Sequence, residues 1–252
     1  MRLKQTRELN RYFLTIAASD SSGGAGIQQD IRVAGELGYR TLSAVTGITV
    51  QDYNQLYCVE PVRPSIVSMQ ADRCLSSFAV SAVKIGALCS APNVEAVAQC
   101  LQKHSPRHVV LDPVLSSSGG SALFPLESVH ELTDELFPLT SVVTPNKPEF
   151  EILTGEEIDT IEQGATIAET FCRSWNTSIL LKGGHFGHKM IREALVTADG
   201  TVFFERKRLK FGYDHGTGCT FSTALACFLG NGLPLPEAYH QASGYLVRHF
   251  GE

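Results

Sequence analysis

The sequence predicts an α/β protein: a mostly parallel central sheet with helices on both faces and an antiparallel edge. Three observations carry this. Short β-type apolar runs alternate with longer runs of helical spacing along most of the chain. Glycine-rich or polar junctions follow the strand-like runs, as in βαβ units. Finally, Asp199-Gly200 lies between two strand-like runs as a hairpin signal.

Taken in order, "YFLTIAAS" reads as the first strand. The helix "GIQQDIRVAGELG" would place Ile27, Ile31, Ala34 and Leu37 on one face and close at Gly38. The cycle recurs through "YRTLSAVTGITVQ", "PSIVSMQADRCLSSF", "AVKIGAL", "NVEAVAQCLQKH" and "HVVLDPV", then "SVVTPN", a helix from about Lys147, and "SILLKGG". "EALVTADGTVFFERKRLK" supplies the antiparallel edge. The run "CTFSTALACFLG" has helical spacing, with Phe221, Leu225 and Phe228 or Leu229 on one side and Gly230 as its stop. With no internal repeat and no long linker, residues 1–252 are expected to form a single domain.

Composition narrows the function. The 252 residues are 43% hydrophobic and 19% charged, which suits a globular chain with a substantial core. A net charge of −5 gives no general attraction to polyanions, so nucleic acid is an unsuitable partner and phosphate handling must come from local geometry. The seven cysteines are scattered, without CxxC pairs, which favours reduced thiols and a cytoplasmic location. "MRLKQTRELNRYFLTIAAS" resembles a signal peptide at first sight. However, its apolar run from Tyr12 to Ala18 is short, Glu8 interrupts the basic part and a glycine-rich turn follows at once. No stretch reaches the ~18 apolar residues that suggest a membrane span.

Four junctions carry candidate chemistry. The first, "SDSSGGAGIQQD" from Ser19 to Asp30, would let backbone amides approach a ligand, or serve only as a tight turn; neither GxGxxG nor GxxxxGK[ST] fits the chain. In the second, Asp112 ends the apolar run "VVLDPV" and either organises Mg²⁺ and its waters or forms a turn. In the third, "VVTPNKPEFEIL", Asn146 is a natural N-cap for a helix beginning at Lys147-Pro148-Glu149, a role compatible with ligand binding. In the fourth, "LLKGGH", Lys182 reaches either a nucleotide phosphate or solvent. His185 and His188, three residues apart without a third ligand, give no zinc site. The glycines of "GHFGHKM" suit a mobile lid.

Cys219 follows Gly216-Thr217-Gly218 in the first turn of a helix. The N–H groups of Gly216 to Cys219 would converge as an anion hole for a transferred phosphoryl group. The helix terminus is expected to lower the thiol pKa, so that a thiolate near neutral pH accepts a hydroxyl proton; a buried structural cysteine, as expected of Cys227, is the other reading.

With these pieces in order, the chain resembles the hydroxymethylpyrimidine/phosphomethylpyrimidine kinases of thiamine biosynthesis, in the ribokinase-like superfamily. The resemblance runs through "LTIAASDSSGGAGIQQD", "AVTGITVQD", "AVKIGAL", "VVLDPV", "VVTPNKPEFEILTG", "LLKGGH" and "HGTGCTFSTALA", in the family's order over almost the whole chain. It implies a three-layer α/β/α sandwich, ATP and Mg²⁺, a homodimer, and phosphorylation of the pyrimidine alcohol and then of its monophosphate. It further implies that Gln51 holds the aminopyrimidine edge with backbone at Ala25 and Thr49, that Asp30 lies near the hydroxymethyl group, and that Val114 walls the pocket. Cys219 would be the base, with Gly216, Thr217 and Gly218 as the anion hole. Lys182 would reach the phosphates, while Asp112, Asn146 and Glu149 would support Mg²⁺ through water. The chain departs from the family's pattern at Ala18, at Ala87, where methionine is common, and in "LSSSGGS", which lacks a lysine. A pyridoxal kinase, a non-catalytic pyrimidine binder and a sugar kinase are the competing readings; cysteine in the base position disfavours the last.

Overall fold

The computed structural model describes residues 11–117, 119–187, 190–208 and 215–251. The chain begins with β1 (Tyr12–Asp20), α1 (Gly26–Glu36), β2 (Arg40–Gln51), β3 (Leu56–Pro61), α2 (Pro64–Ser77), β4 (Val80–Ile85), α3 (Ala91–His104) and β5 (Val109–Leu111). A single α-turn, α4 (Val129–Glu131), then sits among 3₁₀ and π turns between Leu126 and Leu139. It is followed by β6 (Val142–Val143), α5 (Lys147–Thr154), α6 (Ile161–Ser174), β7 (Ser178–Leu181), β8 (Met190–Thr197), β9 (Gly200–Lys207), α7 (Thr217–Gly230) and α8 (Leu235–Phe250).

These strands form one sheet in the order β3-β2-β1-β4-β5-β6-β7-β8-β9. Pairings from β2 through β1, β4, β5, β6 and β7 are parallel, as their almost unbroken apolar runs anticipated. The β8–β9 hairpin turns through Ala198-Asp199, one residue ahead of the expected Asp199-Gly200, since Thr197 pairs with Gly200, and it lies antiparallel at one edge as expected. At the opposite edge β3 also runs antiparallel, which the sequence reading did not foresee. Asp52 makes that turn, its Oδ1 accepting from the N–H groups of Asn54 and Gln55 at 2.8 and 2.9 Å.

Strand alternation sends successive side chains to opposite layers. Val109 and Leu111 join Leu14, Ile16, Ile85 and Leu181 against α2, α3, α5 and α6. Val110 joins Phe13, Ala82 and Leu180 against α1, α7 and α8. The result is the expected three-layer α/β/α sandwich.

Two helices differ from the periodic reading. On α1, Ile31 is 43% exposed, whereas polar Gln29 and Asp30 are buried with Ile27, Val33 and Ala34. Buried hydrogen-bond partners decide this face: Gln29 donates to Thr220 Oγ1 at 2.7 Å, and Asp30 pairs with Lys84. Helix α7 is buried nearly all round, from Thr220 through Cys227, rather than along one stripe. It starts two residues before Cys219, and Gly230 is its last residue rather than its stop. A Cβ at Gly230 would lie 2.8 Å from the Tyr39 hydroxyl and 3.0 Å from the Ala82 methyl, so this glycine permits close helix–sheet packing.

Candidate active site

The order of the sheet reverses at β1, whose neighbours are β2 on one side and β4 on the other. In open α/β sheets ligands bind outside the carboxyl ends of the strands at such a point. A cleft of about 1000 Å³ lies there. The carboxyl ends of β1, β4, β5, β6 and β7 contribute Asp20, Ala87, Asp112, Asn146 and Lys182 to its wall, and the first turn of α7 closes it.

That first turn is fixed by a backbone contact. Gly216 has φ +82°, and a Cβ on it would meet the Gly24 carbonyl oxygen at 1.9 Å, so only glycine fits on both counts. The first intrahelical bond runs from Thr220 N to Gly216 O, at 2.9 Å, leaving the N–H groups of Thr217, Gly218 and Cys219 unused by the helix. Asp20, 2% exposed, ties the two glycine loops together. It accepts from Ser22 N at 2.8 Å and Ala25 N at 2.7 Å, and pairs with His215 Nε2 at 2.9 Å. Burial alone would raise its pKa, but the bonds from His215, Ser22 and Ala25 hold the carboxyl well below the usual range.

Cys219 lines the cleft, but its resting charge differs from expectation. Burial pushes the thiol up to about 11 and outweighs Lys84 and the Gly26 N–H, both of which favour the thiolate. The expected lowering of the thiol by the α7 terminus is therefore reversed, because desolvating the anion costs more than the surrounding positive groups return. Cys227 is fully buried, as expected.

Lys182 does not run out to solvent. Its Nζ lies 2.8 Å from Asp112 and 3.7 Å from Glu149, with only 16% of the side chain exposed. The pair packs against the helix mouth: a Cβ at Gly218 would sit 3.5 Å from Asp112 Oδ2 and 3.7 Å from Lys182 Nζ. Burial opposes the charge on Asp112, but Lys182 and Lys84 keep it ionised. Glu149 goes the other way, pushed by burial up to about 7. Asn146 and Glu149 form a reciprocal capping box: the Asn146 side chain accepts from Glu149 N at 3.0 Å, and Glu149 Oε2 accepts from Asn146 N at 2.7 Å. The N-cap reading of Asn146 thus holds, and both residues also border the cleft.

Ala25, Thr49, Gln51 and Val114 border the same cleft, with Ala87 and Leu123 adding apolar surface. The Ala25 N–H is engaged by Asp20, and the Thr49 hydroxyl donates to Ser19 O at 3.0 Å. The Gln51 backbone exchanges hydrogen bonds with the Ser21 hydroxyl. Ser116, Ser117 and Gly120, from the loop without the family's lysine, border the cleft as well.

Asp30 is not brought to the cleft wall. It is fully buried and accepts from Thr15, Thr223 and Lys84. The sequence reading missed Lys84, Asp20 and His215; "AVKIGAL", "SD" and "DHGTGC" contain them, but a charge inside an apolar strand or beside a turn shows no partner until the strands are assembled. Of the lid stretch, His188 and Lys189 lie outside the described residues.

Known proteins agree with this architecture. Residues 20–251 match the family described as phosphomethylpyrimidine kinase. The hydroxymethylpyrimidine/phosphomethylpyrimidine kinase of Rhizobium meliloti is 40% identical over 234 residues, covering 92% of this chain and 88% of its own. The Bacillus subtilis protein of the same name is 34% identical, with 92% and 86% covered. Among solved structures, the phosphomethylpyrimidine kinase of Clostridium difficile superposes with a TM-score of 0.84 at 31% identity, over 95% of this chain and 99% of that one. An ADP complex of Bacillus subtilis pyridoxal kinase gives 0.85 at 29% identity, over 93% and 90%. The chain belongs to the phosphomethylpyrimidine kinase family.

Proposed function

We propose that this chain, acting as one kinase domain, transfers the γ-phosphoryl group of ATP to hydroxymethylpyrimidine and then to its monophosphate, giving the pyrophosphate used in thiamine biosynthesis. One observation carries the reading: a single cleft holds the first turn of α7 with its N–H groups, the Lys182–Asp112 pair, Cys219 and a partly apolar wall containing Gln51. The Gln51 amide offers the donor and acceptor that complement an aminopyrimidine edge, with Thr49, Val114 and Ala25 around the ring. As its N–H is committed to Asp20, Ala25 has its carbonyl oxygen to offer to the ring. The N–H groups at the helix mouth receive charge developing on the transferred group, and Lys182 draws the phosphates toward the acceptor.

The chemistry also calls for a cation. Asp112 and Glu149 bring two carboxyl groups together beside Lys182, and burial raises Glu149 to about 7. These hard oxygen donors fit Mg²⁺ held through water by Asp112, Asn146 and Glu149, which when bound would neutralise phosphate charge. Cys219 would accept the hydroxyl proton in its thiolate form, a minor species at neutral pH because burial pushes the thiol up to about 11. For the homodimer we place the contact on the outer face of β2–β3, where Ile48 and Val50 are 54% and 55% exposed. Seven free thiols suit the cytoplasm.

Mass spectrometry of reactions with Mg-ATP and either hydroxymethylpyrimidine, its monophosphate or pyridoxal tests the reaction. Both pyrimidines should be converted; conversion of pyridoxal alone would favour the neighbouring vitamin kinase, and no conversion the non-catalytic binder. Cys219→Ala should lower turnover by ~10²-fold or more with pyrimidine affinity largely kept, and near-normal turnover would refute the base assignment.

Glu149 gives a pH signature. With its pKa raised from 4.5 to about 7, the folded state holds this proton more tightly than the unfolded chain, so its contribution to stability falls as pH rises through that interval. Glu149→Gln retains the capping pattern and should therefore gain melting temperature relative to wild type, by roughly 2–5 °C, between pH ~4.5 and ~8. A difference independent of pH would contradict the raised pKa. In sedimentation, wild type should run at dimer mass and Ile48→Asp at monomer mass; a monomeric wild type would overturn the contact.

A further inference from the structure

Lys84 is a buried cation to which the family resemblance gave no part. Its side chain is 0% exposed and its Nζ lies 3.0 and 2.9 Å from the two oxygens of Asp30, also 0% exposed. Asp30 needs no more than it has: Oδ2 also accepts from Thr15 Oγ1 at 2.6 Å and Oδ1 from Thr223 Oγ1 at 2.8 Å. An ammonium carries three donors, and both acceptors found for Lys84 among the described residues belong to Asp30. Lys84 nevertheless forms part of the wall of the cleft that Gly26 and Cys219 also line. A Cβ at Gly86 would stand 2.8 Å from its Nζ, so the adjoining backbone leaves room for the charge rather than for a side chain.

Helix geometry places this pair. Asp30 lies one turn beyond Gly26 on α1, and Thr223 one turn beyond Cys219 on α7. Thr223 Oγ1 donates to Asp30 Oδ1 at 2.8 Å and Lys84 reaches the same carboxylate from β4, while Gly26 and Cys219, one turn nearer the helix starts, line the cleft. The ion pair therefore lies one turn beneath the thiol. A buried ion pair is weak evidence for stability, because apolar residues of similar volume would serve the core as well. Beside a thiol in a cleft it has another use.

We propose that Lys84 is a positioning residue that supplies the positive field in which Cys219 becomes a thiolate, and that Asp30 anchors its ammonium there. The charged groups facing Cys219 are Lys84, Asp30, Asp112 and Lys182. After burial, which raises the thiol, Lys84 is the largest influence and acts against it, ahead of the opposing carboxylates Asp30 and Asp112. The proposal rests on Cys219 being the base, but its test reads the thiol directly and the Cys219→Ala assay decides the base separately.

The experiment is alkylation of the full-length protein with iodoacetamide at pH ~9, located by peptide mass spectrometry, with free glutathione in the same mixture as internal standard. The rate at Cys219 follows its thiolate fraction. It should fall about threefold or more in Lys84→Met, and by a smaller factor in the same direction in Asp30→Asn/Lys84→Met, which leaves no unpaired charge in the core. Turnover should fall in both while KM for the pyrimidine stays within about twofold. A role confined to packing would loosen the core and speed alkylation of Cys219 and of buried Cys227 alike. An unchanged or faster Cys219 rate in the double variant would overturn the proposal.

Discussion

The site depends on the place where two glycine backbones touch. Gly24 presents its carbonyl where any side chain on Gly216 would stand, and Gly216 takes the left-handed conformation that only glycine adopts without strain. Because of that contact, α7 starts at the carboxyl ends of the central strands and not a turn earlier or later. Asp20 secures it by bonding the first loop internally and pairing with His215 in the last. The first turn of α7, with its cysteine and the ion pair packed against Gly218, takes its position from this junction.

Charge in the cleft is arranged in two layers around Cys219. Lys182 with Asp112 and Glu149 lies toward the opening, and Lys84 with Asp30 lies beneath. Neither lysine can lose its proton easily: burial disfavours the ammonium, but the facing carboxylates raise both pKa values. The cleft thus holds permanent cations in a largely dehydrated setting, where they act on a transferring anion more strongly than they would in water. The thiol is the group left poised on the neutral side, at about 11.

Much of this could be read from the chain alone, for identifiable reasons. Parallel strands such as Val109–Leu111 and Ser178–Leu181 are apolar but for Ser178 because both faces are covered, and their junctions stand out against that background. Asn146 was legible as a cap, and Asp199-Gly200 as a hairpin, because each depends on neighbours a few residues away. Asp30 and Lys84 were not, because their partners are 54 residues apart in sequence. The same limit applied to α1, where the buried face runs through Gln29 and Asp30 and no count of apolar residues would find it. The pKa of Cys219 depends on how deeply the finished fold encloses it, which spacing does not encode.

Helix α7 serves two purposes within one rigid rod. Its first turn faces the ligand, while Thr220 to Cys227 are enclosed on every side by α1, α8 and the sheet. A close-packed interior transmits strain instead of absorbing it. A misplacement of ~1 Å at a reacting centre costs on the order of a hundredfold in rate. A substitution in the body of this helix therefore acts on more than stability: a residue such as Leu225, buried and off the cleft wall, sets catalytic alignment as well as packing.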